Sequence, residues 1–179
     1  LGTYNGNGDT ITSDENAINN QGGMTLNNMT INGTKYGIYS NSTIENSISN
    51  STITSPQNAL YKNSTSKTIV ENTTINGFVY NGNANGTLNI NNSSINRSTS
   101  GGGITTYENR GKSNIDNSTI NLNVYTNTSG STSDIGIRNT GTLSLSNNSN
   151  INITLESGVR YHHTYGIHTN NALTLDNSN

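Results

Sequence analysis

Apolar residues in this chain come at every second position in runs of two or three, as in Leu88 and Ile90 or Leu143 and Leu145, with Thr, Ser and Asn between. A period of two over so short a stretch marks a strand with one buried face. No longer window carries a helical period. The predicted elements are therefore many short strands and no helix.

The strands recur. LNNMTIN from Leu26, ISNSTIT from Ile48, VENTTIN from Val70, INNSSIN from Ile90, IDNSTIN from Ile115, LSNNSNIN from Leu145 and LDNSN from Leu175 are seven copies of one segment. Each runs aliphatic, variable polar, Asn, which places Asn28, Asn50, Asn72, Asn92, Asn117, Asn147 and Asn177 at spacings of 22, 22, 20, 25, 30 and 30 residues. A second segment lies upstream of each copy, a small residue before an aliphatic one: Ala17-Ile18, Gly37-Ile38, Ala59-Leu60, Gly103-Ile104, Gly136-Ile137 and Gly166-Ile167, with Phe78-Val79 following Gly77. One unit is thus two or three short strands joined by polar bends.

A unit with so few aliphatic side chains cannot bury its apolar face alone, so the units must stack. The prediction is an all-β parallel solenoid of about seven turns, a single segment over residues 1–179. The chain begins within a polar run and stops inside the seventh copy, so it reads as an excerpt of a longer repeat protein without its caps. In such a stack equivalent residues lie ~4.8 Å apart. An Asn at the same corner of every turn could donate its amide to the Asn below, and Asn tolerates the left-handed backbone a sharp corner needs. The seven recurring Asn are the expected structural ladder; the competing reading has them face water at each bend.

Composition fits that picture. The chain has 10 % charged and 27 % hydrophobic residues, and 37 of its 179 residues are Asn. Disorder would call for high net charge and many prolines, yet the net charge is -2 and Pro56 is the one proline. There is no basic patch for nucleic acid, no apolar stretch long enough to insert in a membrane, and no cysteine for disulfide or thiolate chemistry.

YGIYSN (Tyr36 to Asn41), IGIRNTGTLSLSNNSNIN (Ile135 to Asn152) and YGIHTNNALTLDNSN (Tyr165 to Asn179) resemble the turns of right-handed parallel β-helices in the pectate-lyase-like superfamily. The likeness is strongest to Asn/Thr-rich, adhesin-like surface proteins and autotransporter passenger domains. It implies a right-handed coil and an extracellular, cell-surface setting. That coil also carries lyases, hydrolases and phage tailspikes, so the resemblance speaks to fold more than to function.

Candidate chemistry is sparse. The recurring acids Glu71, Asp116 and Asp176 fall at alternate repeats, which sets them ~10 Å apart, wide even for the ~6.5 to 9.5 Å of an inverting glycosidase pair. His162, His163 and His168 form a histidine cluster with Arg160, Tyr161 and Tyr165; adjacent strand residues face opposite ways, so a shared metal would require a loop. Neither metal nor cofactor is expected.

A column of large polar side chains follows the aliphatic residue of the second segment: Tyr39, Tyr61, Tyr80, then Arg138 and His168, with Thr105 or Tyr107 at the intervening turn. If the aliphatics face in, these face out, where aromatic rings and phenols suit sugars. Rings that merely stack to support the sheet would give the same pattern.

The connections after Ile95, Ile120 and Ile151 lengthen, bringing Arg97, Tyr125, Glu156, Arg160, Tyr161, His162, His163 and Tyr165 towards one side. The candidate ligand contacts are therefore Tyr39, Tyr61, Tyr80, Tyr107, Arg138, Arg160, His162, His163 and His168. N-x-[S/T] sequons occur at Asn32, Asn41, Asn63, Asn85, Asn96, Asn117 and Asn152, among others. The functional expectation is a non-enzymatic stalk or adhesin-like segment. Its partners would be host or neighbouring-cell glycans, surface proteins and adjoining turns of the parent chain. The alternative is part of a polysaccharide lyase, hydrolase or tailspike whose catalytic residues lie outside this stretch.

Overall fold

The structure is a computed structural model that describes residues 2–99, 103–125, 133–155 and 163–178. Among them are 20 strands and no helix, in one eight-stranded and one twelve-stranded sheet whose pairings are all parallel. The eight-stranded sheet stacks Gly2–Asn5, Met24–Asn27, Asn46–Ser49, Lys67–Glu71, Thr87–Asn91, Lys112–Asp116, Thr142–Ser146 and Leu173–Asp176, in chain order. The repeat thus has one member more than the seven found by pattern. In Gly2–Asn5 an aromatic, Tyr4, stands in register with Leu26 and hides the aliphatic signature.

Five units each add two further strands to the second sheet, as Thr30–Gly33 and Tyr36–Ser40 do after Met24–Asn27. Thr52–Lys62 and Thr74–Asn81 run through both positions, which makes one sheet of what are otherwise two ladders.

Register turns the alternating pattern into columns. Leu26, Ile48, Val70, Ile90, Ile115 and Leu145 align in the first sheet. Ile11, Ile31, Ile53, Ile75, Ile95, Ile120 and Ile151 align in one ladder of the second, and Ile18, Ile38, Leu60, Val79, Tyr107, Ile137 and Ile167 in the other. The three columns pack on one another as a single core. A fully buried Ile contributes ~2 to 3 kcal/mol, and three such residues per level suffice because each unit covers its neighbours.

Tyr107 corrects the sequence expectation. It was a candidate ligand contact, but it is fully buried, in register with Val79 and Ile137. The core tolerates a phenol there because its hydroxyl is hydrogen-bonded to Ser113 Oγ. The outward position at that level belongs to Glu108, in register with Tyr80 and Arg138.

Candidate functional site

The corner after each strand of the first sheet is where the recurring Asn sits. Asn28, Asn50, Asn72, Asn92, Asn117, Asn147 and Asn177 all have φ between 43 and 56°, the left-handed conformation that Asn tolerates better than most residues. All are exposed. Their side chains do not form one continuous ladder: Asn117 Nδ2 donates to Asn92 Oδ1 at 2.8 Å, whereas Asn50 Nδ2 reaches Asn27 Oδ1 at 2.7 Å and Asn147 Nδ2 reaches Asp116 Oδ1 at 2.5 Å.

The hydroxyl that follows the corner is more regular. Ser51, Thr73, Ser93, Ser118 and Ser149 are buried. Each donates to a carbonyl two or three residues back, as Thr73 Oγ1 does to Glu71 O at 2.8 Å, and accepts an N–H from the preceding unit, as Thr73 does from Ser51 N at 3.3 Å. This explains why Ser or Thr follows Asn at those corners.

A buried Asn ladder lies elsewhere, on the opposite edge of the core. Asn81 Nδ2 donates to Asn109 Oδ1 at 2.9 Å, Asn109 Nδ2 to Asn139 Oδ1 at 2.7 Å, and Asn139 Nδ2 to Thr169 Oγ1 at 2.9 Å. Asn20, at the same register, reaches Ser40 Oγ and Asn46 Oδ1. Asn81, Asn109 and Asn139 are fully buried, so an uncharged group that both donates and accepts is required. The sequence alone does not reveal this column, because Ser40 and Lys62 interrupt it.

Lys62 is the anomaly in this column. It is fully buried, with Nζ donating to Ser64 O at 2.7 Å and no carboxylate paired to it among the described residues. Desolvation pulls its pKa down to about 8.

On the outer surface, the expected column aligns as Tyr39, Tyr61, Tyr80, Glu108, Arg138 and His168. Unit spacing forces the rings onto one another: Tyr39 and Tyr61 stack at 5.6 Å between centroids, Tyr61 and Tyr80 at 4.6 Å. Tyr36 meets both Tyr39 and Tyr61 edge-on, at 5.3 and 5.2 Å. Tyr80 is only 9 % exposed, lying against Phe78 with the Arg110 guanidinium 5.3 Å over its ring. The tyrosines therefore form a ridge of ring edges and phenols, with most ring faces turned on each other. Burial, reinforced by the neighbouring phenols, raises the Tyr61 pKa.

Further along the column, Glu108 Oε1 accepts from Arg110 Nε at 2.8 Å, and this bond raises the Arg110 pKa. His168 is exposed, its ring 5.5 Å edge-on from that of Tyr165. Arg160 and His162 lie outside the described residues, as do Glu156 and Tyr161; His163 begins the strand His163–Thr169, and only its backbone is described. Glu71, Asp116 and Asp176 fall at alternate levels of the first sheet. Asp116 Oδ1 accepts from the Ser146 hydroxyl at 2.6 Å. Among the described residues no group of three His, Cys, Asp or Glu is placed to hold a metal ion.

Beside the ridge, Pro56, Phe78, Arg97, Thr105, Glu108 and Arg138 line a cleft of about 520 Å3. It meets a second cleft of about 410 Å3 at Pro56 and Arg97. Arg97 holds these walls together: its guanidinium lies 5.2 Å from the Phe78 centroid and donates to the Thr105 carbonyl. No family model, curated protein or solved structure matches the chain.

Proposed function

We propose that the chain is a segment of a right-handed parallel β-helix in an extracellular, cell-surface protein, where it serves as a stalk and contacts glycans along the tyrosine ridge. The right hand follows the strong preference of parallel crossover connections and the resemblance to adhesin-like β-helical repeats. A repeated, weakly charged, uniformly stacked rod suits a spacer that presents a surface at a distance. The observation that carries the adhesive part is the cluster of Tyr39 and Tyr61, aligned and stacked, with Tyr36 edge-on to both, all three half-buried rather than covered.

With the ring faces mostly stacked on each other, sugar hydroxyls would meet phenol groups and ring edges. Glycan-array binding of the chain tests this, repeated with Tyr39→Ala/Tyr61→Ala and with circular dichroism to check the fold. Retention on defined glycans that drops at least about tenfold in a folded double variant supports the reading. Silence on the array removes the adhesive role and leaves the stalk; retention unchanged by the substitutions moves the contact elsewhere.

A further inference from the structure

The cleft at the end of the ridge has a charge pattern unlike the rest of the surface. The sequence has eight Lys and Arg in all, and Arg97, Arg110 and Arg138 meet here. Arg110 is committed to Glu108 at 2.8 Å. Arg97 and Arg138, which line the cleft, pair with no carboxylate among the described residues. Asp134 lies behind the lining, fully buried, its Oδ1 accepting the Ile104 N–H at 3.0 Å.

Arg97 is the informative residue. Arg97 is half-buried, its guanidinium 5.2 Å from the Phe78 ring centroid, with one hydrogen bond among the described residues, to the Thr105 carbonyl. A guanidinium carries five N–H donors in a planar fork, so most of this fork has no partner among the described residues. Partial desolvation without a counter-ion is unfavourable, and a planar fork held by a carbonyl and a neighbouring ring is preorganised for a carboxylate. Arg138 is exposed on the same cleft and adds a second, adaptable cation.

We propose that this cleft binds the carboxylate of an acidic sugar residue, with Arg97 as the fixed partner, Arg138 as the mobile one, and Pro56 and Phe78 against the sugar's apolar edge. The proposal rests on the glycan-contact reading above and narrows it to carboxylate-bearing saccharides at one position. A long polyanion is disfavoured, because the net charge of the chain is -2 and supplies no broad positive field. Recognition is local, one carboxylate at a time, with Gln57, Asn58 and Thr105 near enough on the lining to meet hydroxyls.

Titration calorimetry with two probes tests it: a hyaluronan tetrasaccharide and sialyl-lactose, each against its uncharged counterpart, the carboxyl-reduced tetrasaccharide and lactose. At least one acidic probe is expected to bind about tenfold or more tighter than its counterpart, with affinity falling as salt rises. Arg138→Gln, at an exposed side chain with no ion-pair partner among the described residues, and Arg97→Gln are each expected to remove most of that preference. Lys67→Gln, on the first sheet in an exposed ion pair with Glu45 at 3.5 Å, is expected to leave it intact.

Equal binding of acidic and neutral probes overturns the proposal; if that binding is lost in Tyr39→Ala/Tyr61→Ala, the ridge reading stands while the carboxylate site falls. A preference for the acid that survives Arg138→Gln and Arg97→Gln also overturns it. So does failure of both acidic probes to bind, and the array result then decides separately whether any glycan role remains. Because Arg97 braces two walls, Arg138→Gln keeps the test open if Arg97→Gln fails to fold.

Discussion

At the scale of single residues, the polar core positions divide by what each can satisfy. Asn109 Oδ1 accepts from Asn81 Nδ2 and Ser113 Oγ while its amide donates onward to Asn139, so a neutral amide fits where a charge would not. Lys62 interrupts that column with an ammonium that has one hydrogen bond, and its pKa is pulled from 10.5 to about 8. The folded state therefore releases the proton near pH 8 and the unfolded chain near 10.5. Between those values the unfolded chain binds more protons, so stability rises with pH, by ~3 kcal/mol at most over the whole window. Buried Tyr107, whose pKa is raised by burial, opposes further gain once tyrosine ionisation begins in the unfolded chain. Denaturant melts of the wild type should show a midpoint that climbs from pH 7.5 to 9.5. In Lys62→Met the climb should vanish, and a slope unchanged by that substitution would mean the ammonium is solvated in the folded state.

At the scale of the element, the corner and the buried column use the same residue for different reasons. Asn72 has φ of 48° and an exposed side chain with no hydrogen bond among the described residues, so its role there is conformational. Asn72→Gly should leave stability within a few tenths of a kcal/mol, while Asn72→Ala should cost ~1 kcal/mol. Asn109→Ala, which strands several buried partners, should cost ~3 kcal/mol or more. Equal costs for the two alanine variants in urea unfolding would contradict this division.

The strands and the corner Asn were legible in the sequence because period two and a recurring Asn are local signals. The buried ladder was not, because it needs the register between units, and Ser40 and Lys62 break its identity pattern. The Tyr39, Tyr61 and Tyr80 alignment could be read from the aliphatic residue before each. The next level could not: Tyr107 looks like a surface tyrosine until Ser113 is placed beside its hydroxyl. The arginine cleft was equally hidden, since Pro56, Arg97 and Arg138 come from three different units.

At the scale of the whole molecule, stability comes from neighbour-on-neighbour stacking rather than from charge. The ion pairs among the described residues, Lys35 with Glu15, Lys67 with Glu45 and Arg110 with Glu108, involve partly or largely exposed side chains, and exposed pairs contribute ~0 to 1 kcal/mol each. The apolar columns contribute far more, but unevenly. Ile53, Leu60, Ile75, Val79, Leu88 and Ile90 are fully buried between neighbouring units, whereas Tyr4 is 47 % and Leu175 56 % exposed on the outermost strands of the first sheet. In a stacked repeat each inner unit has two covering neighbours and an outer one has one, so in the 179-residue chain taken by itself local opening should be cheapest at its two outer units and rise inward. Native-state hydrogen exchange should therefore show amides of Lys67–Glu71, Thr74–Asn81 and Thr87–Asn91 as the slowest. Gly2–Asn5 and Leu173–Asp176 should exchange fastest among the strands. That gradient should persist when salt is raised, because burial rather than ion pairing sets it. Uniform protection from end to end would instead mean that the units open together as one cooperative body, and nearest-neighbour stacking would no longer describe what holds the rod together.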